Sequence, residues 1–187
     1  MILAEKEKYE KAWEHKAYRN YSPGEKMVIP YLCIAKPKAG STITDFGTGT
    51  GRAALMLHEM GYNVQLIDIA ENCLDDEVKE QIGGKLGIMS LYGGPCWIRH
   101  SEHGYCTDVM EHIPPEFVDE TLKNIFRSAD KVFFQICLQE DHFGQELGET
   151  LHLTVKPFTW WRDKLGEYAE IIEARDLIHN GLFYAIT

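Results

Sequence analysis

The spacing of hydrophobic positions changes near residue 41. Before it, the segment 5–18 sets Tyr9, Trp13 and Ala17 four residues apart among charged neighbours, the single apolar stripe of an amphipathic helix. A turn at Ser22-Pro23-Gly24 leads to a second helix through Ile34, closed by Lys36-Pro37 and Gly40. From Ser41 onward, short β-rich runs alternate with helical ones. Strands are predicted at 41–46, 64–69, 86–91, 105–110 and 131–138, and helices at 52–60, 72–81 and 116–127, the last with Val118, Leu122 and Ile125 on one face. Such alternation makes a parallel sheet covered on both faces. A polar stretch over 139–150 precedes a helix carrying Trp160, Trp161 and Leu165. Two β-rich runs close the chain, 169–174 and 182–186, with a turn signal at Asn180-Gly181.

A chain of 187 residues can bury a core without disulfides, and no composition shift marks a linker, so residues 1–187 are expected to form one domain. Within it, 1–40 would be a helical cover or lid and 41–187 the sheet core. Lys plus Arg number 19 against 29 Asp plus Glu, a net charge of −10 that repels polyanions and makes nucleic acid an unfavourable partner. The five cysteines, Cys33, Cys73, Cys96, Cys106 and Cys137, are scattered without a C-x-x-C pair. That spacing argues against a disulfide framework and a zinc ribbon, and suits a reducing compartment. The start of the chain turns charged almost at once, and the longest apolar stretch, 27–35, is broken by Pro30. Neither a signal peptide nor a membrane span is expected, and the cytoplasm is the expected location.

Candidate chemistry centres on the run from Thr42 to Gly51, ThrIleThrAspPheGlyThrGlyThrGly, a strand passing through three glycines into a helix. Glycines there allow a sharp turn and let a ligand approach main-chain N–H groups at a helix start. The spacing G-x-G-x-G, with Asp45 two positions before the first glycine, differs from the G-x-G-x-x-G of dinucleotide-binding turns. It resembles motif I of the class I S-adenosylmethionine-dependent methyltransferases. Asp68, at the tip of the second predicted strand, matches the family's acceptor of two ribose hydroxyls. The run Asp108-Val-Met-Glu111-His112 resembles the fourth-strand motif of the small-molecule branch.

The resemblance implies a Rossmann-like, doubly wound α/β fold. Its seven-stranded, mostly parallel sheet would have the order 3-2-1-4-5-7-6, with the last strand antiparallel and an N-terminal helical extension. It also implies S-adenosylmethionine as cofactor, S-adenosylhomocysteine as product, and a cofactor site built from Asp45, Gly47, Thr48, Gly49, Gly51, Asp68, Ile69, Ser90, Tyr92 and Asp108. One departure is that the third predicted strand ends without the acidic residue that in many relatives accepts from the adenine amino group. Ser90 and Tyr92 are the available substitutes.

For catalysis, His112 is the leading base because imidazole titrates near neutral pH, with Glu111 to orient it or contact substrate. The competing reading makes this pair a solvated helix start. Ile113-Pro-Pro-Glu116 lacks the residues of the nucleic-acid amino-methyltransferase motif, so a small-molecule acceptor with an O or N atom is expected. The alternatives are a protein or nucleic-acid methyltransferase recruited by a partner, and a non-catalytic cofactor-binding protein. His100-x-x-His103 and Glu149-x-x-His152 have metal-compatible spacing but no third ligand at a telling distance, so no metal site is expected. His152 could enter the substrate pocket. Tyr18, Tyr21 and Ser22 could fold over the cofactor as part of a lid, or belong to a packed cover.

Overall fold

The computed structural model describes residues 2–94 and 97–187, so Cys96 lies outside the described residues. Three helices lead into the sheet: α1 (Ile2–Glu14), α2 (Lys16–Asn20) and α3 (Pro23–Ala35). The single helix expected over 5–18 is divided at His15, whose extended backbone (φ −85°, ψ 118°) ends one helix and starts the next. The break turns Ala17 out to solvent, while Trp13 and Tyr18 meet across it with ring centroids 4.7 Å apart. Pro30 lies inside α3, where its ring removes an intrahelical hydrogen bond. The completely buried side chains of Val28 and Tyr31 hold that helix down.

Seven strands follow: β1 (Thr42–Phe46), β2 (Asn63–Asp68), β3 (Leu86–Ile88), β4 (Ser101–Thr107), β5 (Ala129–Cys137), β6 (Glu170–Asp176) and β7 (Asn180–Ile186). They form one sheet in the order β3-β2-β1-β4-β5-β7-β6. The first five are parallel, and β7 runs antiparallel to both β5 and β6. This is the order implied by the resemblance. Helices α4 (Arg52–Glu59), α5 (Asp76–Ile82), α6 (Val118–Ser128) and α8 (Phe158–Gly166) join the strands. A short α7 (Gly144–Leu147) lies in the polar stretch where composition predicts no element.

Alternation along each strand sends side chains to two cores. Tyr105, Phe133 and Tyr184, paired across β4, β5 and β7, pack beneath α3 with Tyr31 edge-on to Tyr105 and Phe133. Their neighbours Cys106, Phe134 and Phe183 face the opposite core with Leu122 of α6 and Trp161 of α8. The fourth strand begins and ends earlier than the expected 105–110. Its first residues carry polar side chains that are nonetheless buried, Ser101 and His103, and the Ser101 hydroxyl bonds that of Thr44 at 2.8 Å. It stops at Thr107 because Asp108 takes a left-handed conformation (φ 59°) and turns Val109 and Met110 out of the sheet.

Strand order reverses between β1 and β4, and in such sheets the crevice outside the carboxyl ends of these strands is where ligands bind. Leu122 is completely buried in the core that supports this edge. Leu122→Ala is expected to cost about 2–5 kcal/mol of unfolding free energy, read by urea titration, through lost burial and the cavity left behind.

Candidate functional site

Three carboxyl groups stand at adjacent strand ends. Asp45 is buried at the penultimate position of β1 and accepts the Thr48 hydroxyl at 2.7 Å. Asp68 is the last residue of β2; one of its oxygens accepts the Gly49 N–H at 2.9 Å and the other the Ala70 N–H at 2.9 Å. The Ile69 N–H acts on the same carboxylate. Asp108 follows β4, anchored by its own N–H to the Gln135 carbonyl at 2.9 Å. Its left-handed backbone is one of the few that a short polar side chain tolerates.

The glycine loop between β1 and α4 has φ of 67° at Gly47, 53° at Gly49 and 76° at Gly51. A Cβ on Gly47 would collide with Val109, and one on Gly51 would lie 2.6 Å from Val78 and 2.7 Å from Leu74. At Gly49 a Cβ would meet only the Trp13 ring, at 3.0 Å. Gly47 and Gly51 are therefore dictated by packing as well as by backbone angle, while Gly49 borders the cover. Gly51 caps α4 and lines neither of the cavities described next.

Two cavities open at this edge. The smaller, about 650 Å³, has apolar walls from Ile67, Ile69, Met89, Leu91, Val109 and Ile113, with Asp68, Ser90, Tyr92 and Asp108 at its polar points. The larger, about 1470 Å³, is lined by Asp45, Thr48, Gly49, Tyr21, Ser22, Cys137, Asp141 and His152 among others. They meet at Trp13, Tyr18, Gly47, Asp108 and His112, which line both. Glu5, Tyr9 and Trp13 of α1 form part of the smaller cavity's wall. Arg19 fastens this cover through hydrogen bonds to the carbonyls of Asn72 at 2.6 Å and Cys73 at 2.9 Å, and an ion pair with Asp75 at 2.9 Å. Among the described residues, no Lys or Arg lines either cavity.

Burial without cationic neighbours sets the electrostatics. It pushes the Asp45 carboxyl up to about 7, against the Thr48 hydrogen bond, with Asp68 adding to the rise. Asp68 is raised by burial and held back by its N–H donors. Burial also raises Asp108, opposed by His152 and by a hydrogen bond with Glu111.

Burial sets Glu111 and His112, the residues expected to be catalytic, in surroundings that the sequence does not announce. His112 is lowered to about 3, first by burial and then by His152, so it is neutral at physiological pH and has no ionisation near 7 to lend to catalysis. Its Nδ1 donates to the Leu151 carbonyl at 3.1 Å, leaving Nε2 as an acceptor, and its ring stands edge-on to Tyr9 and His152. Glu111 is completely buried and lines neither cavity. Its Oε1 accepts the Cys137 N–H at 2.5 Å, and its carbonyl accepts the N–H groups of Leu153 and Thr154.

The remaining expected residues separate cleanly. His100 pairs with Asp130 at 3.2 Å, while His103 is buried against Tyr31. Trp161 is completely buried, with Trp160 edge-on to it. Tyr92 stacks on Phe117 at 4.8 Å, and the Ser90 hydroxyl accepts the Tyr92 N–H at 3.3 Å. Tyr9, Trp13, Cys137 and Asp141 also reach the cavities without any motif to announce them. For Tyr9 and Trp13 the four-residue stripe was the available signal.

No protein-family model and no curated protein matches the chain. Solved structures do. The magnesium protoporphyrin IX methyltransferase ChlM from Synechocystis PCC 6803, solved with bound S-adenosylmethionine, is 16% identical with a TM-score of 0.65, covering 87% of this chain and 77% of that one. The PH0226 protein from Pyrococcus horikoshii OT3 is 12% identical with a TM-score of 0.71, covering 93% and 92%. The [4+2]-cyclase SpnF is 10% identical with a TM-score of 0.70, covering 87% and 81%. The chain therefore has the Rossmann-like fold of the class I methyltransferases.

Asp45 gives a test of the site's charge balance. Its pKa of about 7 in the folded chain exceeds the ordinary 3.8, so the folded state holds the proton between these values and stability falls as pH rises through them. Asp45→Asn keeps an acceptor for Thr48 and cannot ionise. It is expected to gain stability relative to wild type between about pH 4 and 7, measured by urea unfolding across that range. A difference independent of pH would contradict the assignment.

Proposed function

We propose that the chain is an S-adenosylmethionine-dependent methyltransferase that moves a methyl group to an oxygen or nitrogen of a small molecule, releasing S-adenosylhomocysteine. The observation that carries the reading is the Asp68 carboxylate, set between the glycine loop and an apolar cavity at the strand-order reversal. Those features suit a nucleoside, with two hydroxyls on the carboxylate and a flat ring in the apolar slot.

In this reading Asp68 accepts the ribose hydroxyls, Ile69, Ser90 and Tyr92 surround the adenine, and the main chain of Gly47, Thr48 and Gly49 follows the cofactor toward the larger cavity. Gly51 serves by shaping the helix start. Asp45 and Asp108 supply negative charge to its amino group and sulfonium. The bound cofactor brings a methyl on a positively charged sulfur, open to direct displacement. The chain's own contribution is alignment and exclusion of water, which can supply an effective molarity on the order of 10⁵ M or more. Residues 1–40 act as the cover over the 41–187 core, with Tyr9, Trp13 and Tyr18 closing the site.

The acceptor enters the larger cavity. Its walls bear Glu140, Asp141 and Glu146 and, among the described residues, no Lys or Arg, so no side-chain cation there pairs with a phosphate or carboxylate of the acceptor. A small neutral or cationic acceptor fits that lining. His112, held neutral with Nε2 free to accept, positions the acceptor's hydroxyl or amine proton.

Because one protein of this fold is a cyclase, transfer itself has to be measured along with binding. Asp68→Ala is expected to lose about ten- to a hundredfold in S-adenosylmethionine affinity by calorimetry. Wild type should transfer tritiated methyl to a component of a metabolite pool. His112→Ala should lower kcat while leaving cofactor affinity nearly unchanged. Undiminished cofactor binding by Asp68→Ala would overturn the ribose assignment; methyl transfer to RNA or protein alone would overturn the small-molecule acceptor.

A further inference from the structure

At the wall of the larger cavity lies a cluster of donor atoms that the methyl-transfer reading does not use. Glu111 lies on the turn after β4, Cys137 is the last residue of β5, and His152 lies between α7 and α8. Together they bring a carboxylate oxygen, a thiol sulfur and an imidazole nitrogen within 4.8 Å of one another. Cys137 and His152 line the cavity, and Glu111 is completely buried.

The three groups are individually prepared. Glu111 is fixed through Oε1 by the Cys137 N–H at 2.5 Å; its buried Oε2 meets no N–H donor, and a hydrogen bond joins its carboxyl to that of Asp108. The charged group acting on it is another carboxyl, that of Asp108. With no Lys or Arg among the described residues of the cavity wall, this corner takes a cation from elsewhere, either a proton or a metal ion. His152 donates Nδ1–H to the Gln139 carbonyl at 2.6 Å, which leaves Nε2 bare. A backbone carbonyl on the far nitrogen is the usual support of a metal-bound imidazole, fixing both tautomer and ring orientation.

We propose that Glu111 Oε2, Cys137 Sγ and His152 Nε2 form a site for a divalent transition metal of the zinc class, with its fourth position open to the larger cavity. One sulfur, one nitrogen and one oxygen donor select such a metal over magnesium or calcium, which prefer all-oxygen shells. Tetrahedral coordination needs donor atoms roughly 3.3–3.8 Å apart, so rotation of the half-buried Cys137 and His152 side chains has about 1 Å to close. A lone pair from a small molecule in the cavity would complete the coordination. The site is defined by this chain's side chains alone, independently of the cofactor reading, and its occupancy is measured with no sulfonium present.

The experiment strips the full chain with a chelator, then titrates Zn²⁺ against a chromophoric competitor and Co²⁺ by absorbance. One Zn²⁺ per chain is expected, together with a thiolate-to-cobalt charge-transfer band in the near ultraviolet. Cys137→Ser should abolish the band, and Cys137→Ser and His152→Ala should each weaken Zn²⁺ binding by about tenfold or more. Circular dichroism of both variants confirms that the fold is retained, since neither residue is in the buried core. Absence of stoichiometric binding, a cobalt complex without the thiolate band, or undiminished affinity in either variant would overturn the site.

Discussion

Negative charge gathered at one edge of the sheet is the constraint around which the rest of this site is arranged. Asp45, Asp68 and Asp108 end or follow β1, β2 and β4, and Glu111 lies one turn further on. Burial makes the ionised form of each costly and raises all four. What offsets that cost within the chain is a set of donors: the Gly49 and Ala70 N–H groups, the Thr48 hydroxyl and the Cys137 N–H. Hydrogen bonds stabilise a carboxylate but do not neutralise it, and among the described residues no Lys or Arg lines the cavities to finish the task. An edge of this kind has affinity for positive charge, whether a sulfonium, an ammonium, a metal ion or a proton.

Much of the architecture was legible in the sequence because it rests on local patterns. The alternation of β-rich and helical runs dictates a parallel sheet, and the glycine spacing with Asp68 at the next strand tip marks the edge at which the two cavities open. Pattern reading failed where tertiary packing overrides it. Ser101 and His103 are polar and buried, so the start of β4 was hidden; Asp108 bends the chain in a conformation that no propensity announces. His112 looked like a group titrating near neutrality. Its displacement comes from burial beside His152, which lies 40 positions away and is brought close only by the loop after β5.

The same limit explains the convergence of Glu111, Cys137 and His152. They lie on a turn, a strand end and an irregular segment, so no spacing rule links them. Their meeting depends on two features of the fold: β5 pairs directly with β4, which sets Cys137 beside the turn after β4, and the Glu111 carbonyl binds the N–H groups of Leu153 and Thr154, which draws His152 in. Glu111 thereby serves the structure through its main chain and one carboxylate oxygen, while its carboxyl also shares a hydrogen bond with that of Asp108.

The cover follows from the same edge. Trp13 rests on Gly49, whose N–H binds Asp68, and Arg19 grips the carbonyls of Asn72 and Cys73, two and three residues beyond the Ala70 N–H that binds the other Asp68 oxygen. These two contacts of α1 and α2 with the core thus end on the two backbone segments that hold this one carboxylate. A ligand that draws on Asp68 would perturb both segments, and displacement of the cover would loosen both donors. Cover and carboxylate thus rest on the same two main-chain segments.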